Sequence, residues 1–470
     1  MAKPPTIKEK LRKQVWWSPR GWCNVLVLVV ILLCLLSLFL VYPIVHNYTQ
    51  PKKSNKPPHK YEPLRPKSLP IDPDTPEDVQ TRKSMDGRDY TLVFSDEFNQ
   101  DGRTFFPGDD PHWEAVDLWY WATMDLEYYK PEQITTKDGN LVITVERTPT
   151  GTLDFRSGML QSWNKFCFQG GLIEVKISMP FKAGISGFWP AAWTLGNLGR
   201  AGYGASTDGL WPYTYDSCDV GVMVNQTNPV LSHLPGQRLN KCVCKGDHPS
   251  PGKGRGAPEI DILEGSGGSG GSLPSASQSF QVAPFDYHYQ SNYDLATVHN
   301  KAKSKINTYT GGPFQQAVSG VTDLDPAWFG GDGFQTYGFD YTPGPDGNIT
   351  WFVGDNPTWS ITSEVVGPNS MSGVGQRTVA EEPMYIILNL AMSEGFSLVE
   401  LDKLKFPSAM YVDYVRVYQP EDKIAISCDT PEFPTREYID AHPLAYENAN
   451  VTTWARTKYP TPEFSLNNRC

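Results

Sequence analysis

The sequence is short of positive charge, of metal-ligand clusters and of helical periodicity, and each shortage removes a class of function. Lys and Arg number 41 against 52 Asp and Glu, for a formal charge of −11. That total understates the imbalance. Residues 1–20 carry Lys3, Lys8, Lys10, Arg12, Lys13 and Arg20 against Glu9, and residues 46–70 carry six basic residues against Glu62, so each stretch is +5 and the remainder about −21. So acidic a body is a poor partner for nucleic acid, whose binding rests on neutralising phosphates. An uncharged or cationic ligand fits better. Cys242-Val-Cys244 lacks the spacing of a zinc knuckle, no matching His pair follows, and no dense oxygen-ligand loop shows. No metal, nucleotide or redox cofactor is expected. Gly265-Ser-Gly-Gly-Ser-Gly-Gly-Ser272 imitates a dinucleotide fingerprint, but Leu273-Pro274 and an alternating Gln278-Ser-Phe-Gln-Val282 follow it where a helix is required. It reads as a flexible loop.

What is present is a supply of short strands. Leu141–Glu146, Ile173–Met179, Phe334–Tyr341, Ile349–Val353, Tyr385–Met392 and Met410–Tyr418 alternate or run apolar between Gly and Pro punctuation. Many short strands with turn signals predict an all-β sandwich, placed at 89–418. Aromatic residues make up 12% of the chain, including 14 Trp, and flat rings suit the C–H faces of sugars as well as a core.

Ahead of the sandwich, residues 25–45 form 21 consecutive uncharged positions, long enough for one transmembrane helix. No small-residue cleavage site follows, so the segment reads as an uncleaved signal anchor. The flanking charge orients it only weakly. The sequons at Asn225, Asn348 and Asn450 all lie beyond it, as do six cysteines, which puts residues 1–24 in the cytosol and the body in the lumen or outside the cell. A fourth sequon, at Asn47, sits against the bilayer and is not expected to be used. Residues 46–88 are Pro- and Lys-rich and read as a disordered stem. Residues 419–470 read as an irregular extension tied by cysteine. Of Cys167, Cys218, Cys242, Cys244, Cys428 and Cys470, the pairing expected is Cys428 with Cys470, and Cys218 with Cys242 or Cys244. Spacing alone does not fix connectivity.

The chemistry concentrates in Glu259-Ile-Asp-Ile-Leu-Glu264. On a strand, side chains alternate faces, so Glu259 and Asp261 share one side while Ile260 and Ile262 take the other. Glu264 has the wrong parity to join them unless a bulge near Leu263 adds one residue. Three acids on one face oppose each other's ionisation. Retaining glycoside hydrolysis uses such crowding, with one carboxyl as nucleophile and a second as acid/base. The plainer alternative is an acidic surface strand.

The hexapeptide, with Phe94-Ser-Asp-Glu-Phe98, Gly187-Phe-Trp-Pro-Ala-Ala-Trp193, Tyr385-Ile-Ile-Leu-Asn-Leu390 and Asp413-Tyr-Val-Arg-Val-Tyr418, resembles glycoside hydrolase family 16, the β-jelly-roll glucanases and transglycosylases. A narrower likeness runs from about Asp86 to Cys470. Ser157-Gly-Met-Leu-Gln-Ser-Trp-Asn-Lys-Phe-Cys-Phe168, Gly196-Asn-Leu-Gly-Arg200, Trp211-Pro-Tyr-Thr-Tyr-Asp-Ser-Cys-Asp219 and Leu234-Pro-Gly-Gln-Arg238 are similar to the fungal proteins associated with β-1,6-glucan synthesis, type II membrane proteins with this domain. The resemblance implies a concanavalin A-like jelly roll, residence from the secretory pathway to the plasma membrane, and a β-glucan partner. It implies Glu259 as nucleophile, Glu264 as acid/base and Asp261 as the group tuning the nucleophile. Trp163, Trp189, Trp193 and Trp211 are the candidate sugar platforms, and Gln281 is a further candidate for substrate binding.

Two departures stand against ordinary hydrolysis. Gln281 occupies the place where many family glucanases carry a His, and an insertion of about 198–256 stands before the catalytic strand. Three readings follow: a hydrolase or transglycosylase of β-glucan, a glucan-binding scaffold with little turnover, and, a distant third, a receptor with only a short cytosolic segment.

Overall fold

The computed structural model describes residues 19–37, 39, 70–214, 216, 236–283, 291–312, 315–368 and 375–464. The chain divides into two units, Met1–Tyr61 and Glu62–Cys470. In the first, Pro19–Leu36 form an 18-residue helix, α1, whose Val, Leu and Ile side chains are exposed along its length. Among the described residues no helix is long and apolar enough to cross a membrane. Residues 38 and 40–45 of the expected span lie outside the described residues.

The second unit is a sandwich of two antiparallel sheets. Its principal strands, in chain order, are β1 (Asp89–Asp96), β2 (Glu127–Tyr129), β3 (Phe155–Ser157), β4 (Met159–Gln161), β5 (Gly171–Ser178), β6 (Trp189–Gly196), β7 (Glu259–Ser266) and β8 (Ser275–Val282). They continue with β9 (Gln315–Asp323), β10 (Gln335–Thr342), β11 (Asn348–Val353), β12 (Asn356–Thr362), β13 (Met384–Ala391) and β14 (Ser408–Gln419). The outer sheet runs β1–β14–β5–β10–β11–β12, and the other β9–β8–β7–β6–β13–β4.

Alternation decides which side chains meet between the layers. Ile173, Val175 and Ile177 of β5 point inward with Val415 and Val417 of β14, and meet Ile260, Ile262, Phe280 and Ile386 from the facing sheet. Transfer of each such side chain from water is worth roughly 1.5–3 kcal/mol, which fixes register wherever one face is buried. Strands 140–145, 171–178, 335–342, 348–353, 384–391 and 408–419 fall where the alternation places them.

Three expectations need correction. The stem does not extend to residue 88: Thr81–Lys83 pair with Asp89–Thr91, and Asp72 and Thr75 are buried against Ser95. Proline-rich composition concealed a short edge strand. Cys428 bonds to Cys167, not to Cys470, so the extension is tied to the body 261 residues upstream. Cys242 is also disulfide-bonded, while Cys218 and Cys470 lie outside the described residues. The Gly/Ser run is no loose loop but a hairpin turn that closes Ser266 onto Ser275. A Cβ at Gly267 would sit 2.2 Å from the Ile185 carbonyl, and Gly268 has φ +74°, so only glycine fits this approach. The dinucleotide reading fails here too, because β8 follows.

Candidate active site

Strand β7 aims its acids by breaking its own ladder. Asp261 lies opposite Ser279 and Glu264 opposite Ser277 on one side; on the other, Trp193 faces Asp261 and Ala192 faces Leu263. Ile262 and Leu263 together oppose a single residue on each neighbour. Both are fully buried in the core, so the extra residue reverses parity and brings Glu264 round to the face of Glu259 and Asp261. Side chains take up carbonyls the bulge disturbs: Trp351 Nε1 donates to the Asp261 carbonyl at 2.9 Å, and Gln278 Nε2 to that of Ile262 at 3.0 Å. Satisfying these groups holds the distortion in one geometry.

Asp261 is 2% exposed, and solvent reaches only part of Glu259 and Glu264. Burial raises all three above the carboxylate range. Glu259 is pushed up to about 8 by burial and by the charge of Glu264, opposed by hydrogen bonds from Asp261 and from the Trp211 indole N–H. Asp261 and Glu264 go well above their ordinary values, by burial first and then by the neighbouring charges of Glu259 and Asp261 respectively. The groups donating to Glu259 make it the member of the trio best able to carry charge. Asp261 holds the proton it donates, and Glu264 remains an acid.

The surrounding residues divide by role. Trp211 Nε1 donates to Glu259 Oε2. Gln281 Nε2 donates to Asp261 Oδ2 at 3.0 Å. Trp189 stacks flat on Phe396 with centroids 4.4 Å apart. Trp193, 8% exposed, is fixed by Asn389 at 2.8 Å. Trp163 stands apart from this group. It donates to the Asn197 carbonyl, stacks on Tyr446 and has Arg200 4.2 Å from its ring centre, so it holds the C-terminal extension. Asn348 and Asn450 are exposed, and Asn225 lies outside the described residues.

The insertion supplies Trp211, and the extension steadies the insertion. Arg238 donates to the Tyr438 hydroxyl at 2.6 Å. Arg255 pairs with Glu382 at 2.8 Å and reaches the Pro434 carbonyl at 2.8 Å. The Trp454 amide donates to Asp208 at 2.8 Å.

Sequence reasoning missed Tyr120, Phe396 and Asn389. Tyr120 faces Glu259 and Asp261, and burial and then the charge of Glu259 raise its hydroxyl well above the usual range. Asn389 left a trace: it is the one polar residue in Tyr385-Ile-Ile-Leu-Asn-Leu390.

The chain is 48% identical over 456 residues to the beta-glucan synthesis-associated protein SKN1 of Candida albicans, covering 93% of this chain and 61% of that protein. It is 48% identical over 407 residues to the beta-glucan synthesis-associated protein KRE6 of Saccharomyces cerevisiae, covering 85% and 56%. The chain thus spans less than two thirds of the length of these relatives. Among solved structures, an endo-beta-1,3-glucanase from Pyrococcus furiosus superposes with a TM-score of 0.45 at 20% identity, covering 72% of this chain and 98% of that one. The family described as beta-glucan synthesis-associated protein SKN1/KRE6/Sbg1 matches residues 3–470, and the chain belongs to it.

Proposed function

We propose that the protein is a membrane-anchored, retaining β-glucan hydrolase or transglycosylase acting in cell-wall glucan assembly. The observation that carries this is the bulge at 262–263, which gathers Glu259, Asp261 and Glu264 on one face. Ionised Glu259 attacks the anomeric carbon as Glu264 passes its proton to the departing glycosidic oxygen. The sugar–oxygen bond breaks and a glycosyl ester forms on Glu259. Water or a hydroxyl of a second glucan then attacks the same carbon and gives its proton to Glu264, and the ester bond breaks. The second attack restores both carboxyls. Asp261, held by Gln281, donates to Glu259 and favours its charged form. Trp189 and Trp193 wall the sugar side.

The 21 uncharged residues at 25–45 and the downstream sequons support a type II anchor in the secretory pathway or plasma membrane, with glycans at Asn348 and Asn450. An anchored wall-building protein gains more from transfer than from net degradation. One observation favours a second reading, binding without turnover: Gln281, unlike a His, supplies no group that titrates near neutrality beside Asp261. Incubating the purified full chain in detergent with β-1,3- and β-1,6-glucan and sizing the products decides between them. Turnover is expected from wild type, with a loss of about 10³-fold or more in Glu259→Gln. Binding by wild type with no change in product size would establish the second reading.

A further inference from the structure

A file of buried polar side chains leads from the cleft to a second pair of acids that the reaction above does not use. Trp193 Nε1 donates to Asn389 Oδ1 at 2.8 Å, Asn389 Nδ2 donates to the Tyr129 hydroxyl at 3.2 Å, and Tyr129 donates to Asp125 Oδ2 at 3.0 Å. The Thr123 hydroxyl gives Asp125 Oδ1 a second bond, at 2.6 Å. Every bond of the file points the same way, so it ends on a group that only accepts, a carboxylate. Glu127 lies beside it, wholly buried. Its Oε2 accepts from the Met392 amide at 3.0 Å, and its Oε1 has no donor among the described residues. The two carboxyls are in hydrogen-bonding contact. Two acceptors cannot bond each other without a proton, and the Oε1 of Glu127 is the oxygen left to carry it.

We propose that Asp125 and Glu127 share one proton and act as positioning residues for Trp193, setting the ring against which glucan lies beside Asp261. The glucan clause rests on the function proposed above; the orientation of Trp193 does not. Burial and then the charge of Asp125 raise Glu127 well above the carboxylate range, and burial pushes Asp125 up to about 6. The singly ionised pair therefore exists above about pH 6 and loses its charge below it. The other titratable groups facing the pair are Tyr129 on its own strand and Tyr120 from the preceding loop. On neighbouring β3, Arg156 lies opposite Tyr128, on the face away from Glu127, and is bound to Glu146; β13 brings the uncharged Asn389.

The test follows the Trp193 indole N–H by NMR in the full chain in detergent, with the resonance assigned by Trp193→Phe. In wild type it should shift as pH falls through about 6. Glu127→Leu removes the proton donor beside Asp125, so the midpoint should rise by about a unit or more, while Glu127→Gln keeps a neutral donor and should leave it near the wild-type position. Tyr129→Phe cuts the file and should abolish the response. That variant also decides the matter if Glu127→Leu does not fold. An unchanged midpoint in Glu127→Leu, or a response that survives Tyr129→Phe, overturns the proposal. Affinity for a β-1,3-glucan oligosaccharide should fall across the same midpoint in wild type. Indole behaviour as stated, with no glucan bound at any pH, would leave Trp193 positioned by the pair and remove the glucan reading.

Discussion

Each sheet of the sandwich buries an acid to the same depth, and the two are treated in opposite ways. Glu174 of β5 and Asp261 of β7 are both 2% exposed. Glu174 faces Arg82 and Arg416, the second at 3.9 Å. On the outer sheet, too, Asp96 is gripped by Arg103 at 2.8 Å, and the same guanidinium holds Asp110 at 2.7 Å. No cation is among the groups that set the ionisation of Asp261. Its neighbours are Glu259 and Gln281. Where a carboxylate serves the fold it receives a counter-ion, because an unpaired buried charge costs several kcal/mol. Among the described residues the cleft lacks that compensation, and Asp261 and Glu264 instead hold protons at neutral pH. A proton so held is available for transfer.

Removing a counter-ion from the outer sheet should have the largest effect on stability. Arg103→Ala leaves Asp96 and Asp110 without their shared cation and should cost about 3–5 kcal/mol in chemical denaturation. A cost below about 1 kcal/mol would mean that this cluster is as uncompensated as the cleft.

Removing an acid from the cleft should act in the other direction. The pKa of Glu259 is higher folded than unfolded, so the folded state binds more protons and stability falls as pH rises from the ordinary carboxylate range through about 8. Glu259→Gln deletes that penalty. Melting curves should show the variant more stable than wild type at pH 8, by a few kcal/mol, and nearly equal to it at pH 4. A variant less stable at pH 8 would show that Glu259 is compensated after all.

The smallest effect probes the tuning of a single acid. Trp211→Phe removes an indole donor from Glu259, which raises its pKa further. The acid limb of the pH–rate profile should move to higher pH, by roughly half to one unit. A limb that stays in place would take Trp211 out of the ionisation of Glu259.

The sequence disclosed the sandwich because alternation and burial are the same fact seen from two sides. The bulge was legible for a sharper reason: three acids and three aliphatics in six residues admit one parity correction, and residues 262–263 supply it. What local pattern could not reveal was contact across long separations. Cys428 finds Cys167 over 261 residues, and Trp163 stacks on Tyr446 instead of entering the cleft. Asp125 and Glu127 belong to a run, Asp125-Leu-Glu-Tyr-Tyr129, that looks like an ordinary surface strand until β13 covers it. The Gly/Ser run was misjudged because composition records how many conformations are open to a segment, and the tight approach to Ile185 leaves room for one.

The grip of residues 434–454 on the insertion also has a temporal consequence. Trp211 reaches Glu259 from a segment whose anchors, Tyr438 and Trp454, are made more than two hundred residues later. During synthesis the two sheets have all their principal strands before those anchors emerge, so the groove is walled last. A nascent chain would then carry its three acids in place but Glu259 without its indole donor, which would arrive only with the closing segment.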